Sequence, residues 1–244
     1  MNKYYLVFIL AFFCACKKQL SHYKEIDRDY YVSAEVSNSK DGSLDTLYTF
    51  LDPKNLSTAL KVGFYKNGFM NGTWTYNDNT GIKEIKWAHY YDKHLKFETN
   101  VFPFVDSVKY KNNVSKFLFK KGEGSIILSV SLNGPIKDSL PQKKYDIIAK
   151  NELLLIGAKV KFYNSKDISN EGRKLHLVNS MIILPNGKIR YIYAMFTYTI
   201  GGEFIEISCN SNIDNLFYAK ELFYAAVTNF KIKKNFLYPI PVRK

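Results

Sequence analysis

Cysteine and histidine are scarce in this chain, and their scarcity excludes whole classes of site. The 244 residues include three cysteines and four histidines, with no Cys-x-x-Cys pair and no His-x-His pair. His89 and His94 are five residues apart, whereas a zinc-protease helix needs two histidines spaced by four. An odd spacing also puts two side chains on opposite faces of a strand. The sequence therefore predicts no metal site.

Catalytic and nucleotide-binding motifs are also missing. The chain contains no Gly-x-Ser-x-Gly elbow, no Walker loop and no dinucleotide glycine fingerprint. Gly122 and Gly124 superficially resemble a phosphate-binding loop. They lie between two strand patterns, however, so they indicate a tight turn. We therefore predict a protein without enzymatic activity and without a cofactor.

Long apolar runs are absent except near the start of the chain. Lys3 gives a short positive region, and residues 4–13 form an apolar run. This run suits the core of a signal peptide, because it is too short to span about 30 Å of hydrocarbon as a helix. No later segment approaches eighteen uninterrupted apolar residues, which predicts no transmembrane helix after the leader.

The apolar run ends at Cys14, Ala15 and Cys16, followed directly by Lys17 and Lys18. This segment resembles the lipobox of bacterial lipoproteins, and its Cys-Lys-Lys ending is similar to lipoproteins of Bacteroidetes. The resemblance implies cleavage after Ala15 and acylation of Cys16, since only a thiol can carry a thioether-linked diacylglycerol. Two or three acyl chains then anchor the protein stably in the bilayer. The alternatives are a cleaved secretory signal and an uncut membrane anchor.

A lipoprotein would lie in the cell envelope, and we expect the outer membrane, facing the periplasm or the cell surface. Its only remaining thiol would be Cys209, so no intramolecular disulfide could form. Ile205, Ile207 and Cys209 share one face of a strand pattern. That pattern predicts a buried, unreactive cysteine.

The chain carries a formal net charge of +13. A basic surface could meet nucleic acid, anionic lipid or acidic glycans. The lysines are scattered singly or in pairs, and they form no block of five or more. We therefore predict a solvated lysine-rich surface and no nucleic-acid partner.

A sequence pattern typical of a β-hairpin begins near residue 63. Asn67 and Gly68 form a strong signal for a two-residue turn, because both central residues of a type I′ turn need a positive φ. The stretch resembles one MORN repeat, which would place a β-hairpin inside a larger sheet. The resemblance rests on Tyr65, Asn67, Gly68, Gly72, Trp74 and Tyr76.

The same region is rich in aromatic side chains that could stack on a sugar or a peptide. We consider four of them as a recognition face: Trp74, Tyr76, Trp87 and Tyr91. The alternative is that the inward half of the set packs the core and the outward half supports cross-strand pairs.

The last third of the chain predicts a three-stranded meander over residues 181–209 and an amphipathic helix over roughly 214–229. Residues 180–232 resemble the PsbP-like fold, which implies a non-enzymatic accessory domain. The apolar stripe of the helix comprises Leu216, Ala219, Phe223, Ala226, Val227 and Phe230.

Together these patterns predict an α+β protein, mostly antiparallel β, with the C-terminal amphipathic helix packed on the sheet. We expect a membrane-anchored binding or assembly module with a protein or glycan partner; the alternative is an extracytoplasmic hydrolase of unrecognised type. The expected segments are a signal peptide (1–15), a tether with a first strand (16–45), a β-hairpin region (46–112), an α+β domain (113–234) and a tail (235–244).

Overall fold

Alternating apolar residues and tight turns fold most of this chain into two antiparallel sheets. We describe a computed structural model over residues 20–38, 44–135, 151, 154–170, 173–199, 202–233 and 235–238. Two sheets face each other across one helix, so the predicted mostly antiparallel β architecture with a C-terminal helix is confirmed. Within the described ranges, no helix is both long and apolar enough to cross a membrane.

The first sheet contains nine described strands. Seven follow one another as a meander, and a C-terminal hairpin joins the far edge. In spatial order they are β1 (Ser21–Glu25), β2 (Arg28–Asn38), β3 (Leu44–Asp52), β4 (Asn55–Lys66), β5 (Phe69–Asp78), β6 (Gly81–Asp92), β7 (Phe97–Val101), β15 (Lys231–Ile232) and β16 (Asn235–Phe236).

The second sheet contains seven described strands. It includes the predicted meander, which is confirmed as the strands β12, β13 and β14. In spatial order the sheet runs β11 (Lys159–Asn170), β12 (Arg173–Ile183), β13 (Ile189–Tyr198), β14 (Glu203–Ser211), β10 (Gly124–Pro135), β9 (Val114–Lys121) and β8 (Ser107–Lys111).

The turn signals in the sequence have the expected geometry. Asn67 and Gly68 join β4 to β5 with φ values of 53° and 82°, as a type I′ turn requires. Gly122, with φ of 59°, stands in the two-residue turn between β9 and β10. It therefore belongs to a hairpin turn, as its flanking strand patterns predicted.

One helix, α1 (Leu216–Thr228), follows a short 3-10 helix and contacts β13, β14 and β10 of the second sheet as well as β7 of the first. The helix was predicted to be amphipathic, with one buried stripe. Instead both faces are buried from Glu221 to Thr228, because each face meets a different sheet. The apolar core joins residues of both sheets and of α1 in one cluster.

Several predicted boundaries need correction. Segment 16–45 was expected to hold a tether and one first strand, but two strands, β1 and β2, form a hairpin in its described part. The polar segment 164–170 is strand, since β11 continues to Asn170 and pairs with β12. The boundary at 112–113 falls in the turn between β8 and β9, so it does not separate two packed units.

The expected tail also begins later than residue 235. β16 pairs with β15, and Tyr238 is buried. The Tyr238 hydroxyl accepts a hydrogen bond from Ile26 N at 2.7 Å and donates one to Lys24 O at 2.8 Å. The end of the described chain is thereby fixed to the turn that follows β1.

Candidate functional site

The predicted aromatic recognition face does not form. Trp74, Tyr76 and Trp87 lie in the core, with 0%, 5% and 2% of their surface exposed. Their polar atoms are satisfied internally: Trp74 Nε1 donates to Phe64 O at 3.1 Å, and Trp87 Nε1 donates to the Tyr76 hydroxyl at 3.0 Å. A buried indole with a satisfied N–H is a packing element.

Tyr91, the fourth member of the predicted face, is 53% exposed. It shares strand parity with Trp87, but burial along β6 changes parity near Ala88, and the inward positions become Tyr90 and Asp92. The change coincides with the point where β6 stops pairing with β5 and starts pairing with β7. Tyr91 is therefore separated from the other three rings by the bend of its own strand.

The two cysteines of interest have different outcomes. Cys16 lies outside the described residues, and its acylation stays a prediction. Cys209 is fully buried, and burial raises the pKa of its thiol well above the usual range. The predicted burial of Cys209 is confirmed, and a raised pKa disfavours the thiolate, which is the reactive form.

The histidines do not form a site with one another. His176 Nδ1 lies 2.7 Å from Asp167 Oδ1, but the ring is 2% exposed and out of reach of a dissolved substrate. His89 pairs with Glu98 at 2.9 Å on the surface, and His94 stacks on Tyr110. Within the part of the chain that the structure describes, no three His, Cys, Asp or Glu side chains are placed to hold a metal ion.

Four charged side chains meet in the interior, and we call them the charge cluster: Glu25, Arg28, Lys61 and Glu221. Lys61 Nζ donates to Glu25 Oε1 at 2.5 Å, and both side chains are almost fully buried. Arg28 forms a bidentate pair with Glu221, at 3.1 and 2.9 Å, and lies 3.9 Å from Glu25. The cluster therefore connects the first hairpin, β4 and α1.

The electrostatics of the charge cluster are those of paired ions. Burial opposes ionisation of Glu221, but Arg28, together with the smaller effects of Lys61 and Lys220, more than compensates and holds the pKa of this carboxyl below its usual value. Burial also lowers the pKa of Lys61, and Glu25 offsets only part of that effect. Ions that are buried and paired in this way hold elements in register and leave little charge for a ligand.

A small polar cavity of about 130 Å³ adjoins the charge cluster. Its wall includes Asp27, Lys166, Lys220 and Tyr224. Asp27 already binds Lys166 at 2.7 Å and accepts a hydrogen bond from the Tyr224 hydroxyl. The strongest polar groups of this cavity therefore satisfy one another, so the cavity is a weak candidate for a binding site.

The best candidate site is an apolar pocket of about 260 Å³ between the two sheets, which we call the inter-sheet pocket. The segment after β7 supplies Phe102 and Phe104, which stack with centroids 6.1 Å apart, and β9 supplies Phe119, 5.2 Å from Phe102. α1 supplies Tyr218 from its first turn. The pocket is large enough for a ring, because an apolar cavity of about 150 Å³ holds benzene.

The rim of the inter-sheet pocket is basic. Lys86, Lys120 and Lys121 line it together with one acid, Glu84. The ammonium of Lys121 lies 3.3 Å from the centroid of the Tyr218 ring, a cation–π contact that holds it at the pocket. An apolar interior with a few converging polar groups is the usual form of a ligand site.

A broader open cleft of about 660 Å³ continues from the inter-sheet pocket and shares Lys120 with it. It runs between the turn after β9 and the turn after β12, and Lys188 and Arg190 add two more positive charges. Glu123 is the acid in its wall. The basic character of the rim therefore extends beyond the pocket.

Comparison with known proteins gives distant likenesses. No family model and no curated protein matches the sequence. The cyanobacterial PsbP protein CyanoP from Synechocystis sp. PCC 6803 is 15% identical, with a TM-score of 0.45 over 60% of this chain and 92% of that chain. The Saccharomyces cerevisiae Ran-binding protein Mog1p is 12% identical, with a TM-score of 0.42 over 64% and 100%. At these scores the likeness assigns no function, and the PsbP-like resemblance stays a prediction.

The residues of the inter-sheet pocket were missed at the level of sequence. Phe102 and Phe104 flank Pro103 between two strands. A proline ends strand pairing, and two phenylalanines in such a connection are a signal that could have been used. Phe119 and Tyr218 carry no comparable signal, because each belongs to a regular apolar pattern.

Proposed function

We propose that this protein is a non-enzymatic binding module of the cell envelope, anchored through acylated Cys16, with the inter-sheet pocket as its binding site for a protein partner. The pocket is the observation that carries the proposal. Within the described chain, this pocket is a concave apolar surface with an exposed aromatic side chain in its wall. That side chain is Phe104, which is 57% exposed. Anchoring residues of protein interfaces are commonly aromatic side chains seated in such pockets.

The positive rim supports a partner with negative charge. Lys86, Lys120 and Lys121 outnumber Glu84 at the pocket, and the whole chain is strongly basic. Complementary charge increases the rate at which two proteins meet and helps to exclude wrong partners.

The binding site can be tested by site-specific photo-crosslinking in the native host. A photoreactive phenylalanine analogue is introduced at Phe104 and, as a matched control, at Tyr91, which is similarly exposed at 53%. We expect a discrete protein adduct from position 104 that position 91 does not give. The same adducts from both positions, or none from position 104, would contradict the proposed site.

The anchor needs its own experiment. The intact mass of the membrane-extracted protein should correspond to a chain that starts at Cys16 and carries a diacylglycerol. Cys16→Ser should move the protein from the membrane pellet to the soluble fraction, because the variant lacks the thiol that would carry the anchoring acyl chains. Retention of Cys16→Ser in the pellet would count against lipidation.

A further inference from the structure

β6 exposes a strand edge at the mouth of the inter-sheet pocket. Residues 81–87 of β6 pair with β5, and residues 88–92 pair with β7 on the opposite side. The ladder to β7 ends at the pair Ala88–Val101, after which the chain leaves the sheet through Phe102 and Pro103. No described strand therefore occupies the position beside the first half of β6.

The hydrogen-bonding groups on this edge follow from the register. The two-residue turn between β5 and β6 closes on the pair Asp78–Gly81, and such a turn closes on a hydrogen-bonded pair. Residues with the parity of Gly81 therefore bond to β5. Ile82, Glu84 and Lys86 point their backbone N–H and C=O groups away from β5, towards the open side.

The lining of the inter-sheet pocket shows that this edge faces it. Glu84, Ile85 and Lys86 are consecutive, yet all three line the pocket. Consecutive residues of a strand point to opposite faces, so all three can contact one cavity only along the edge of the strand. The pocket therefore offers an apolar hole directly beside backbone groups that no described strand pairs.

The opposite wall of the pocket is a strand edge that is already capped. β9 pairs with β8 only as far as Leu118. Beyond that point, Lys120 N donates a hydrogen bond to the carboxylate of Asp106. Among the described residues, the backbone N–H and C=O groups at the pocket that no strand bonds are therefore concentrated on β6.

Exposed apolar surface lies along the same edge. Ile82 is 73% exposed and Phe104 is 57% exposed. A long exposed edge of this kind is a template for pairing with another strand. Lys86, Lys120 and Lys121 outnumber Glu84 and make the surroundings positive, which disfavours a second copy of this strongly basic chain and favours an acidic segment.

We propose that an extended, acidic segment of the partner protein adds as a strand to the edge of β6 at residues 82–86. This segment would occupy the position in the sheet that β7 leaves at Phe102. One of its apolar or aromatic side chains enters the inter-sheet pocket, and its acidic side chains face the three lysines. Main-chain hydrogen bonds supply affinity in such strand addition, and alternate side chains supply specificity. The inference rests on the proposed function, because it specifies how the same pocket binds.

A displayed library of random octapeptides, selected against the detergent-solubilised full-length protein, tests the proposal. The most enriched peptides are synthesised with a fluorescent label, and their dissociation constants are measured by anisotropy. We expect enriched peptides with alternating apolar positions and a net negative charge. Methylating alternate backbone nitrogens, in the register that blocks bonding to β6, should weaken binding by about tenfold or more, because each lost main-chain bond affects affinity.

Two variants at one position separate the contribution of the backbone N–H to binding from that of the side-chain charge. Lys86→Pro removes the outward N–H, and an edge position tolerates proline. Lys86→Ala keeps the N–H and removes only the charge. We expect Lys86→Pro to weaken binding by about tenfold or more, and Lys86→Ala by less than about fivefold, as for an exposed ion pair. Circular dichroism verifies that both variants fold, and the backbone-methylated peptides give the same test without altering the protein.

The other outcomes are distinct. Peptides that are insensitive to Lys86→Pro and to backbone methylation, but weakened by Phe104→Ala, would overturn strand addition and leave the inter-sheet pocket as the binding site. Peptides insensitive to all of these changes, or a library without enrichment, would overturn both proposals. A dimer of the protein alone that Lys86→Pro dissociates would replace the partner strand by a second copy of this chain.

Discussion

The charge cluster and the inter-sheet pocket both involve the first sheet and α1, but they are filled in opposite ways. At the charge cluster, three buried ions, Glu25, Lys61 and Glu221, and the half-buried Arg28 are matched to one another. At the inter-sheet pocket, aromatic side chains leave about 260 Å³ unfilled beside a strand edge that no described strand pairs. The difference indicates which region holds the fold together and which remains available for a ligand.

The largest effect should come from breaking the charge cluster. Lys61→Met removes the hydrogen-bonded partner of the buried Glu25 carboxylate and leaves only Arg28, 3.9 Å away, to offset its charge. We expect a loss of about 3–5 kcal/mol in the free energy of unfolding. Urea unfolding measures this loss. The double variant Lys61→Met, Glu25→Leu should recover most of it, since an apolar pair can replace a buried ion pair. A cost below about 1 kcal/mol for the single variant would mean that the cluster is not a stabilising connection.

A smaller effect should come from the packing of Trp74. A Cβ on Gly63 would lie 2.1 Å from Trp74 Cδ2, so the strand cannot accept even a methyl group without displacing the indole. Gly63→Ala should cost about 1–3 kcal/mol. Gly134 is a matched control, because a Cβ there meets nothing within 4 Å. Equal unfolding midpoints for the two variants would contradict the close contact between Trp74 and β4.

The loss of folding stability at acid pH should depend on Glu221. Its pKa is below the ordinary value in the folded protein, so its ionised form stabilises the fold above about pH 4.3. This contribution is lost as the pH falls through the folded pKa. In urea midpoints from pH 7 to pH 3, Glu221→Gln should be less stable at pH 7 and approach the wild type at low pH. If the urea midpoints of the variant and the wild type fell in parallel with pH, ionisation of Glu221 would not contribute to the pH dependence of stability.

The smallest effect on stability should come from the open region. Phe104→Ala removes a side chain that is 57% exposed, and we expect a change within about 0.5 kcal/mol. Tyr91→Ala should behave alike. The two variants should differ in partner crosslinking and peptide binding, which only Phe104→Ala should reduce. A large stability loss for Phe104→Ala would instead assign Phe104 to the core.

The regular parts of this fold were predictable because their signals are local. Asn67 and Gly68 specify a turn through their own backbone preferences. The meander after residue 180 follows from stretches of alternating apolar and polar residues that are separated by turn sequences. The burial of both faces of α1 could not be predicted in this way. In the sequence, the polar face of α1 looks like one exposed to solvent. Only the fold shows that Arg28, nearly two hundred residues away, contacts Glu221 on this face.

The candidate site was less predictable for a related reason. The aromatic residues near Trp74 were conspicuous in sequence, but conspicuous aromatic residues are often core residues. The inter-sheet pocket exists because β6 changes partner at Ala88 and the chain departs at Pro103. Such a change of partner depends on the packing of two sheets, which no single segment encodes.

The return of the chain to its first sheet has a consequence for biosynthesis. β15 and β16 complete an edge of the sheet that begins at Ser21, and the Tyr238 hydroxyl bonds to the turn after β1. The first sheet therefore remains incomplete until almost the whole described chain has been synthesised. Contacts of such long sequence separation slow folding and expose unpaired edges in the meantime. A nascent chain at this stage would leave the edge of β7 exposed until its last strands are present.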